Sequence, residues 1–116
     1  MSLIIKAPQM WLVTRPVDFR YSIDGLASII INELGYKPIN SIYVFVNKQR
    51  NRIKLLLWHH NGFVLIYKRL ECGNFTLPAS DDNAITLDEK QLSWLLAGLD
   101  WHLMSNFKGL RYDDYC

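Results

Sequence analysis

The residues best suited to chemistry in this sequence are cations that gather in one part of the chain. Between positions 34 and 70 there are seven Lys or Arg residues and no Asp or Glu. Six of them lie near the ends of apolar runs: Lys48, Arg50, Arg52, Lys54, Lys68 and Arg69. Clustered cations attract polyanions, and flexible cations neutralise phosphates more readily than they read bases. The pattern predicts a nucleic-acid-binding surface that contacts DNA phosphates, with Arg15 and Arg20 as candidate extensions.

A structural explanation of the same cations stays open. Charged residues at a hairpin tip are often simply solvated, and Lys on an edge strand prevents association between sheet edges. The formal net charge of the 116-residue chain is only +2, so the total charge does not by itself indicate nucleic-acid binding. The prediction depends on the clustering.

The acidic and metal-ligating residues give little support to catalysis. Metal-dependent phosphoryl transfer on nucleic acid needs a cluster of carboxylates around two metal ions. Ordinary solvation, the helix dipole or an ion pair accounts for each candidate acid, namely Asp18, Asp24, Glu71, Asp81, Asp82 and Asp100. The possible metal ligands have no Cys-x-x-Cys or His-x-x-x-His spacing, and they are His59, His60, Cys72 and His102. Adjacent His residues on a strand point to opposite faces. We expect no enzyme activity, no catalytic residue, no metal site, no cofactor and no small-molecule substrate.

The cations must be positioned by three predicted strands. These are runs rich in β-branched and aromatic residues, at 42–46, 53–58 and 63–67. Asn61-Gly62 separates the last two runs and favours a type I′ turn, because both residues tolerate a positive φ. We expect an antiparallel meander, with a short fourth strand at 75–77. The first run is apolar on both faces, so it is either covered on both or open to a partner on one. We expect Lys54, Tyr43 and Tyr67 to be exposed.

Further elements flank these runs. A first strand is expected over 9–13, followed by a helix that begins after Ser22 and ends at Gly35. Asp88 and Gln91 have the spacing of a capping box at the start of a last helix. We therefore expect one α+β domain over 1–104, in which two helices pack on an antiparallel sheet of about five strands that curls toward a half-barrel. A partly disordered tail is expected over 105–116.

Location follows from two features of the sequence. No apolar run approaches the roughly 20 residues of a membrane-spanning helix. The first residues, Met-Ser-Leu-Ile-Ile-Lys-Ala-Pro, do not have the pattern of a signal peptide. We expect a cytoplasmic protein without a membrane partner.

Three motifs resemble one protein family. The first is Asp-Phe-Arg-Tyr-Ser-Ile-Asp-Gly-Leu-Ala at 18–27. The second joins Phe45, the basic turn, Lys-Leu-Leu-Leu-Trp at 54–58, Asn61-Gly62 and Tyr-Lys-Arg-Leu-Glu-Cys-Gly-Asn-Phe at 67–75. The third lies within 91–101. Together they resemble the TnpB-type accessory proteins of bacterial insertion sequences of the IS-sixty-six type, which are unrelated to the RNA-guided nucleases of the same name.

The resemblance implies a non-catalytic accessory role in DNA transposition, beside a larger transposase subunit. Two molecular roles stay open. The protein contacts nucleic acid through its basic hairpin, or it docks the transposase without binding nucleic acid itself. One departure from the family pattern is His59, which stands where the family usually has Asp.

Arg69 raises a separate structural question. Strand alternation places it on one face with Tyr67 and Glu71, in line with an apolar row. An unpaired buried charge is very costly, so we expect Arg69 to pair with Asp18 or Glu71. We expect Lys68, on the other face, to stay free for a ligand.

Overall fold

The computed structural model describes residues 9–101 and 103, which form a five-stranded sheet with two helices. The elements are β1 (Gln9–Val13), α1 (Ile23–Ser28) with a π-helical continuation (Ile29–Glu33), β2 (Ser41–Val46), β3 (Arg52–His59), β4 (Gly62–Arg69), β5 (Ala84–Leu87) and α2 (Glu89–Leu96). The order of strands in the sheet is β4-β3-β2-β1-β5. The fold is α+β, as the sequence predicts.

One pair of strands departs from the expected antiparallel sheet. β1 and β2 run parallel, whereas the other three neighbouring pairs are antiparallel. The reason is α1, which returns the chain to the end of the sheet where β1 began. The sheet is therefore mixed. It is not closed, and the curl toward a half-barrel stays a prediction.

Two local predictions about strands and turns are wrong. Residues 75–77, expected to form a strand, are irregular. The fifth strand of the sheet is Ala84–Leu87, which pairs with β1. In the β3–β4 hairpin His59 pairs with Gly62, so the two turn residues are His60 and Asn61. His60 takes the positive φ, 52°, and neither Asn61 nor Gly62 does. The register of the long strands decides this turn, and the Asn-Gly preference does not override it.

The central strand is covered on both faces, as its two-sided apolarity allows. On one face Ile42, Val44 and Val46 pack with Phe75 and with Leu95 of α2. On the other face a second cluster contains Tyr43, Phe45 and Leu56 of the sheet with Leu26, Ile29 and Ile30 of the first helix. β2 thus lies between two helical layers, which explains why it can be apolar throughout.

The helix ends largely follow the predicted signals. Ser22 is the N-cap residue of α1, although its side chain makes no capping hydrogen bond. Gly35 follows the helical segment with φ of 71°. Asp88 caps α2, and its capping box with Gln91 is complete.

Within the described part of the chain, no helix is long and apolar enough to cross a membrane. The tail expected over 105–116 lies outside the described residues, and the domain boundary at 104 stays a prediction.

Candidate nucleic-acid interface

Most of the predicted cations meet at one end of the sheet, which we call the basic end. Here β1, β2 and β4 finish and β3 and β5 begin, so the loops 14–22, 47–51 and 70–75 lie at this end. The segment before β5 reaches the same end, where Thr14 donates to the carbonyls of Asn83 and Asp82. The opposite end, which contains the His60-Asn61 turn and the segment before β2, is called the far end. The cations at the basic end are Arg15, Arg20, Lys48, Arg50, Arg52, Lys68 and Arg69.

Asn47 holds the basic loop 47–51 in shape. Its side chain is buried, with 6% exposed. The amide oxygen accepts hydrogen bonds from the backbone N–H groups of Asn51 and Arg52, both at 3.0 Å. The amide nitrogen donates to the side chain of Asn51 at 2.7 Å. One neutral side chain thereby fixes the loop without using any of its cations.

The segment 70–75 supports the same loop from the other side. The N–H of Leu70 donates to the carbonyl of Asn51 at 2.8 Å. The Asn74 side chain donates to the carbonyl of Gln49 at 2.6 Å. The N–H of Phe75, whose ring is buried in the core, donates to the carbonyl of Arg50. The motif at 67–75 thus has a structural purpose, because it attaches the basic loop to the core.

The basic loop presents its cations to solvent. Lys48, Arg50 and Arg52 are exposed, and within the described residues none of them forms an ion pair. Arg50 has φ of 60°, an unfavourable backbone for a residue with a side chain. Arg52 lies directly opposite Arg69 in the β3–β4 ladder. Like charges placed opposite each other destabilise an antiparallel pair.

Lys54 does not belong to this exposed group, and the expectation that it is exposed is wrong. Only 7% of it is accessible. Its Nζ donates to the carbonyls of Phe19 and Tyr21, each at 2.9 Å, and lies 4.9 Å from the centroid of the Phe19 ring. Burial lowers the pKa of the Lys54 ammonium, and the charge of Asp18 acts in the opposite direction. The loop 14–22 covers this side chain, a contact that strand alternation cannot reveal.

The last two cations of β4 behave differently from each other. Arg69 pairs with Glu71, Nη2 to Oε1 at 3.0 Å, which is one of the two partners the sequence predicts. Both side chains are well exposed, so the pair contributes little stability. Lys68 donates from Nζ to the carbonyl of Leu96, the last residue of α2. The expectation that Lys68 stays free is therefore wrong, because α2 ends where this side chain can reach it.

The loop 14–22 carries two further ion pairs. Arg20 binds both carboxylate oxygens of Asp18, with Nη2 to Oδ2 at 2.6 Å. These side-chain bonds, and a backbone hydrogen bond from the Arg20 N–H, lower the pKa of Asp18 to about 2. Arg15 pairs with Glu33 at 3.3 Å. Asp18 therefore does not pair with Arg69, the other partner considered for it.

A cleft lies between the loop 14–22 and the basic loop. It has a volume of about 520 Å³. Its wall includes Pro16, Val17, Asp18, Phe19, Arg20, Asn47, Lys48, Gln49 and Arg52. The N–H of Val17 donates to the carbonyl of Val46 at 3.0 Å, which holds the two loops side by side. The cleft joins an apolar wall to three cations.

The predicted exposure and orientation of aromatic and imidazole side chains are only partly correct. Tyr67 is 49% exposed, as predicted, but Tyr43 is buried and its hydroxyl donates to the carbonyl of Lys37 at 2.8 Å. Burial raises the pKa of Tyr43. The rings of His59 and His60 lie edge to face at 4.4 Å, so the expectation that they diverge is wrong. In the described chain no three His, Cys, Asp or Glu residues could hold a metal ion together.

Comparison with known proteins gives the family. Residues 8–106 match the family described as IS66 Orf2 like protein, TnpB_IS66. The chain belongs to this family. It is similar to two proteins of Sinorhizobium fredii (strain NBRC 101917 / NGR234), both named as uncharacterized proteins. Protein y4jC is 35% identical over 94 residues, 80% of each chain. Protein y4hO is 31% identical over 94 residues, 80% of this chain and 82% of the relative.

No solved structure matches this chain. The family confirms the resemblance seen in the three motifs and identifies an accessory protein of an insertion sequence.

Sequence reasoning missed two components of this end of the molecule. Asn47 directly follows β2, and an Asn at such a position commonly bonds to backbone N–H groups nearby, so a signal for its role existed. No sequence pattern could predict the cleft, because its two walls are loops that lie far apart in the sequence. Only the parallel pairing of β1 with β2 brings those loops together.

Proposed function

We propose that this protein is a non-catalytic accessory subunit of a DNA transposition system and that it binds DNA through the basic end. The binding surface consists of Lys48, Arg50, Arg52 and Arg69, with Arg20 at its border. Lys54 is left out because it is buried, and Lys68 because it is bonded to α2.

The observation that carries this proposal is the Arg52–Arg69 pairing. Two cations lie directly opposite each other on neighbouring strands, and Arg52 has no carboxylate partner in the described part of the protein. Like charges directly opposite each other cost free energy in an antiparallel pair, and here Glu71 offsets only the charge of Arg69. A row of phosphates would remove that cost, because each phosphate brings negative charge between the guanidinium groups.

The chemistry of the surface favours contacts with the DNA backbone over base recognition. Its cations project from a hairpin loop and from strand ends, and they are exposed. Arg presents a planar fork of N–H donors that matches two phosphate oxygens. Such contacts orient a protein on DNA and give an affinity that decreases steeply with salt.

The absence of catalysis is also part of the proposal. The carboxylates next to the surface are Asp18, which binds Arg20, and Glu71, which binds Arg69. Each therefore has a partner that would compete with a metal ion. This supports an assisting role beside a larger transposase, which would supply the chemistry.

A second candidate function is docking of the transposase without contact to nucleic acid. The observation that favours it lies at the far end. Tyr36 and Ile39 are exposed there, and they line a cleft of about 450 Å³ together with Trp11. Tyr43 and Phe45, on one of the two apolar faces of β2, are buried and are not available to a partner.

The test is a fluorescence-anisotropy titration of labelled duplex DNA at several salt concentrations. Wild-type protein should bind with a steep salt dependence. Arg50→Ala plus Arg52→Ala should weaken binding and reduce the slope of log K against log salt by roughly 2, because two phosphate contacts are lost. The matched control is Lys37→Ala plus Lys90→Ala, which removes two exposed cations outside the basic end and should leave binding unchanged.

Unchanged binding by the Arg50 and Arg52 variant would contradict the proposed surface. Co-purification with the transposase should then be measured for Ile39→Asp. Loss of the complex by this variant, combined with no DNA binding by wild type, would favour the docking function.

A further inference from the structure

The cleft beside the basic loop has features that contacts with DNA phosphates do not require. Phosphate contacts need only exposed cations. Here Pro16, Val17 and Phe19 form an apolar and aromatic wall, which faces the same space as Lys48 and Arg52. A ligand that fits both parts has a flat apolar body and an anionic group.

We propose that this cleft holds a single unpaired nucleotide at the end of a DNA duplex, with its base against the Phe19 wall and its phosphate near Lys48 and Arg52. The inference rests on the proposed function and specifies its substrate. The volume of about 520 Å³ lies within the range of small-ligand sites. Unpaired bases are commonly bound on aromatic side chains, with cations along the backbone.

A nucleotide within an intact duplex does not suit this cleft. Its base is stacked and paired, so only its phosphate can reach the protein. Entry of the base requires a nucleotide that is already unpaired, or one whose pairing is broken at a cost of a few kcal/mol. The cleft should therefore prefer a duplex that ends in an unpaired nucleotide over a blunt one.

Hydrogen bonds within the protein hold both walls of the cleft. This favours binding, because little conformational entropy of the loops is lost when a ligand binds. On one side, the ammonium of Lys54 holds the carbonyls of Phe19 and Tyr21. On the other, the buried side chain of Asn47 fixes the basic loop. The one acid in the wall, Asp18, is bound at both carboxylate oxygens by Arg20, so the balance of charge toward a phosphate stays positive.

The experiment is a competition assay with labelled duplex DNA. Unlabelled competitors are a blunt duplex and the same duplex with one unpaired thymidine at its end. Wild-type protein should bind the second roughly tenfold more tightly, the effect expected of one stacked base. Phe19→Leu should lose most of this preference while it keeps its affinity for blunt duplex. Phe63→Leu, another partly buried aromatic residue of the same cluster, should keep the preference.

A second measurement covers the case in which Phe19→Leu does not fold. The wild-type protein is titrated against a duplex that carries 2-aminopurine as the unpaired terminal base. Its fluorescence should change on binding, whereas 2-aminopurine at a paired internal position should not respond. The melting temperatures of both Phe variants are recorded alongside.

The results separate this inference from the proposed function. Equal binding of the two duplexes, or an unchanged 2-aminopurine signal at the unpaired base, overturns the inference. If that binding still depends on Arg50 and Arg52, the proposed function stands. If wild-type protein binds neither duplex, both are overturned.

Discussion

The connections between strands differ at the two ends of the sheet in length and in the contacts that hold them. At the far end the β3–β4 turn has two residues, and His60 itself takes the left-handed conformation. At the basic end the β2–β3 loop is longer, and Asn47, Leu70 and Asn74 hold its backbone.

The difference shows what a binding loop needs. A short turn is fixed by its strands and leaves few side chains to present. A longer loop loses more conformational entropy on folding, and that loss must be offset by contacts elsewhere. In this protein neutral amides and backbone groups provide the contacts, so the loop cations Lys48 and Arg50 remain exposed. Rigid backbone with exposed charge is the arrangement expected of a surface prepared for a polyanion.

The largest expected effect tests the loop anchor. Asn47→Ala should lower the free energy of unfolding by about 3 kcal/mol, because the N–H groups of Asn51 and Arg52 lose a buried acceptor. Urea denaturation measures it. The matched control is Asn61→Ala in the short turn at the far end, which should change stability by no more than about 0.5 kcal/mol. Equal effects at the two ends would contradict a special anchoring role for Asn47.

Lys54 tests the other wall of the cleft. Lys54→Met keeps the length of the side chain but leaves the carbonyls of Phe19 and Tyr21 without their donor. We expect a loss of about 2 kcal/mol in chemical denaturation. Lys48→Met, which changes an exposed cation at the same end, should be nearly neutral. A stable Lys54→Met protein would mean that the ammonium does not hold the loop 14–22.

A pair of glycine substitutions compares the ends directly. Arg50 and His60 both have positive φ angles, 60° and 52° respectively. Glycine adopts this conformation without steric cost, so Arg50→Gly and His60→Gly should each raise stability by up to about 1 kcal/mol. Thermal unfolding measures the gain, and the anisotropy titration measures DNA affinity. Only Arg50→Gly should weaken DNA binding. A similar loss from His60→Gly would place a contact at the far end as well.

Lys68 should contribute more to the stability of the fold than Arg69, because only Lys68 bonds to another element of the structure. Lys68→Ala removes a cation bonded at the C-terminus of α2, so the free energy of unfolding should decrease by about 0.5 kcal/mol. Arg69→Ala removes an exposed ion pair and should have a smaller effect. Differential scanning calorimetry of the two variants decides the order. A lower melting temperature for Arg69→Ala than for Lys68→Ala would contradict this order.

The smallest effect is a pH dependence at the basic end. Asp18 has a pKa of about 2 in the fold, below its ordinary 3.8, so its contribution to stability is present above 3.8 and is lost as the pH falls toward 2. The stability difference between wild type and Asp18→Asn should therefore be constant above pH 3.8 and shrink below it. An NMR titration that returns an ordinary pKa for Asp18 would contradict the Arg20 contact.

Local chemistry in the sequence determined much of this protein. Alternating and continuous apolar runs predicted β2, β3 and β4. The apolar pattern within a strand indicates whether one or both of its faces are buried. Asp88 and Gln91 predicted the start of α2, since capping depends on residues three positions apart. The three motifs predicted the family, and the cluster of cations predicted a basic end.

Tertiary structure alone decided which of those cations are accessible and what surrounds them. The exposure of Lys54 and the freedom of Lys68 depend on a loop and on a helix end that are distant in sequence. The parallel pairing of β1 with β2, and with it the cleft, depends on the path of α1 across the sheet. The physical reason is the same in each case. Local patterns record which face of an element is apolar, whereas packing between distant segments determines which polar groups find partners.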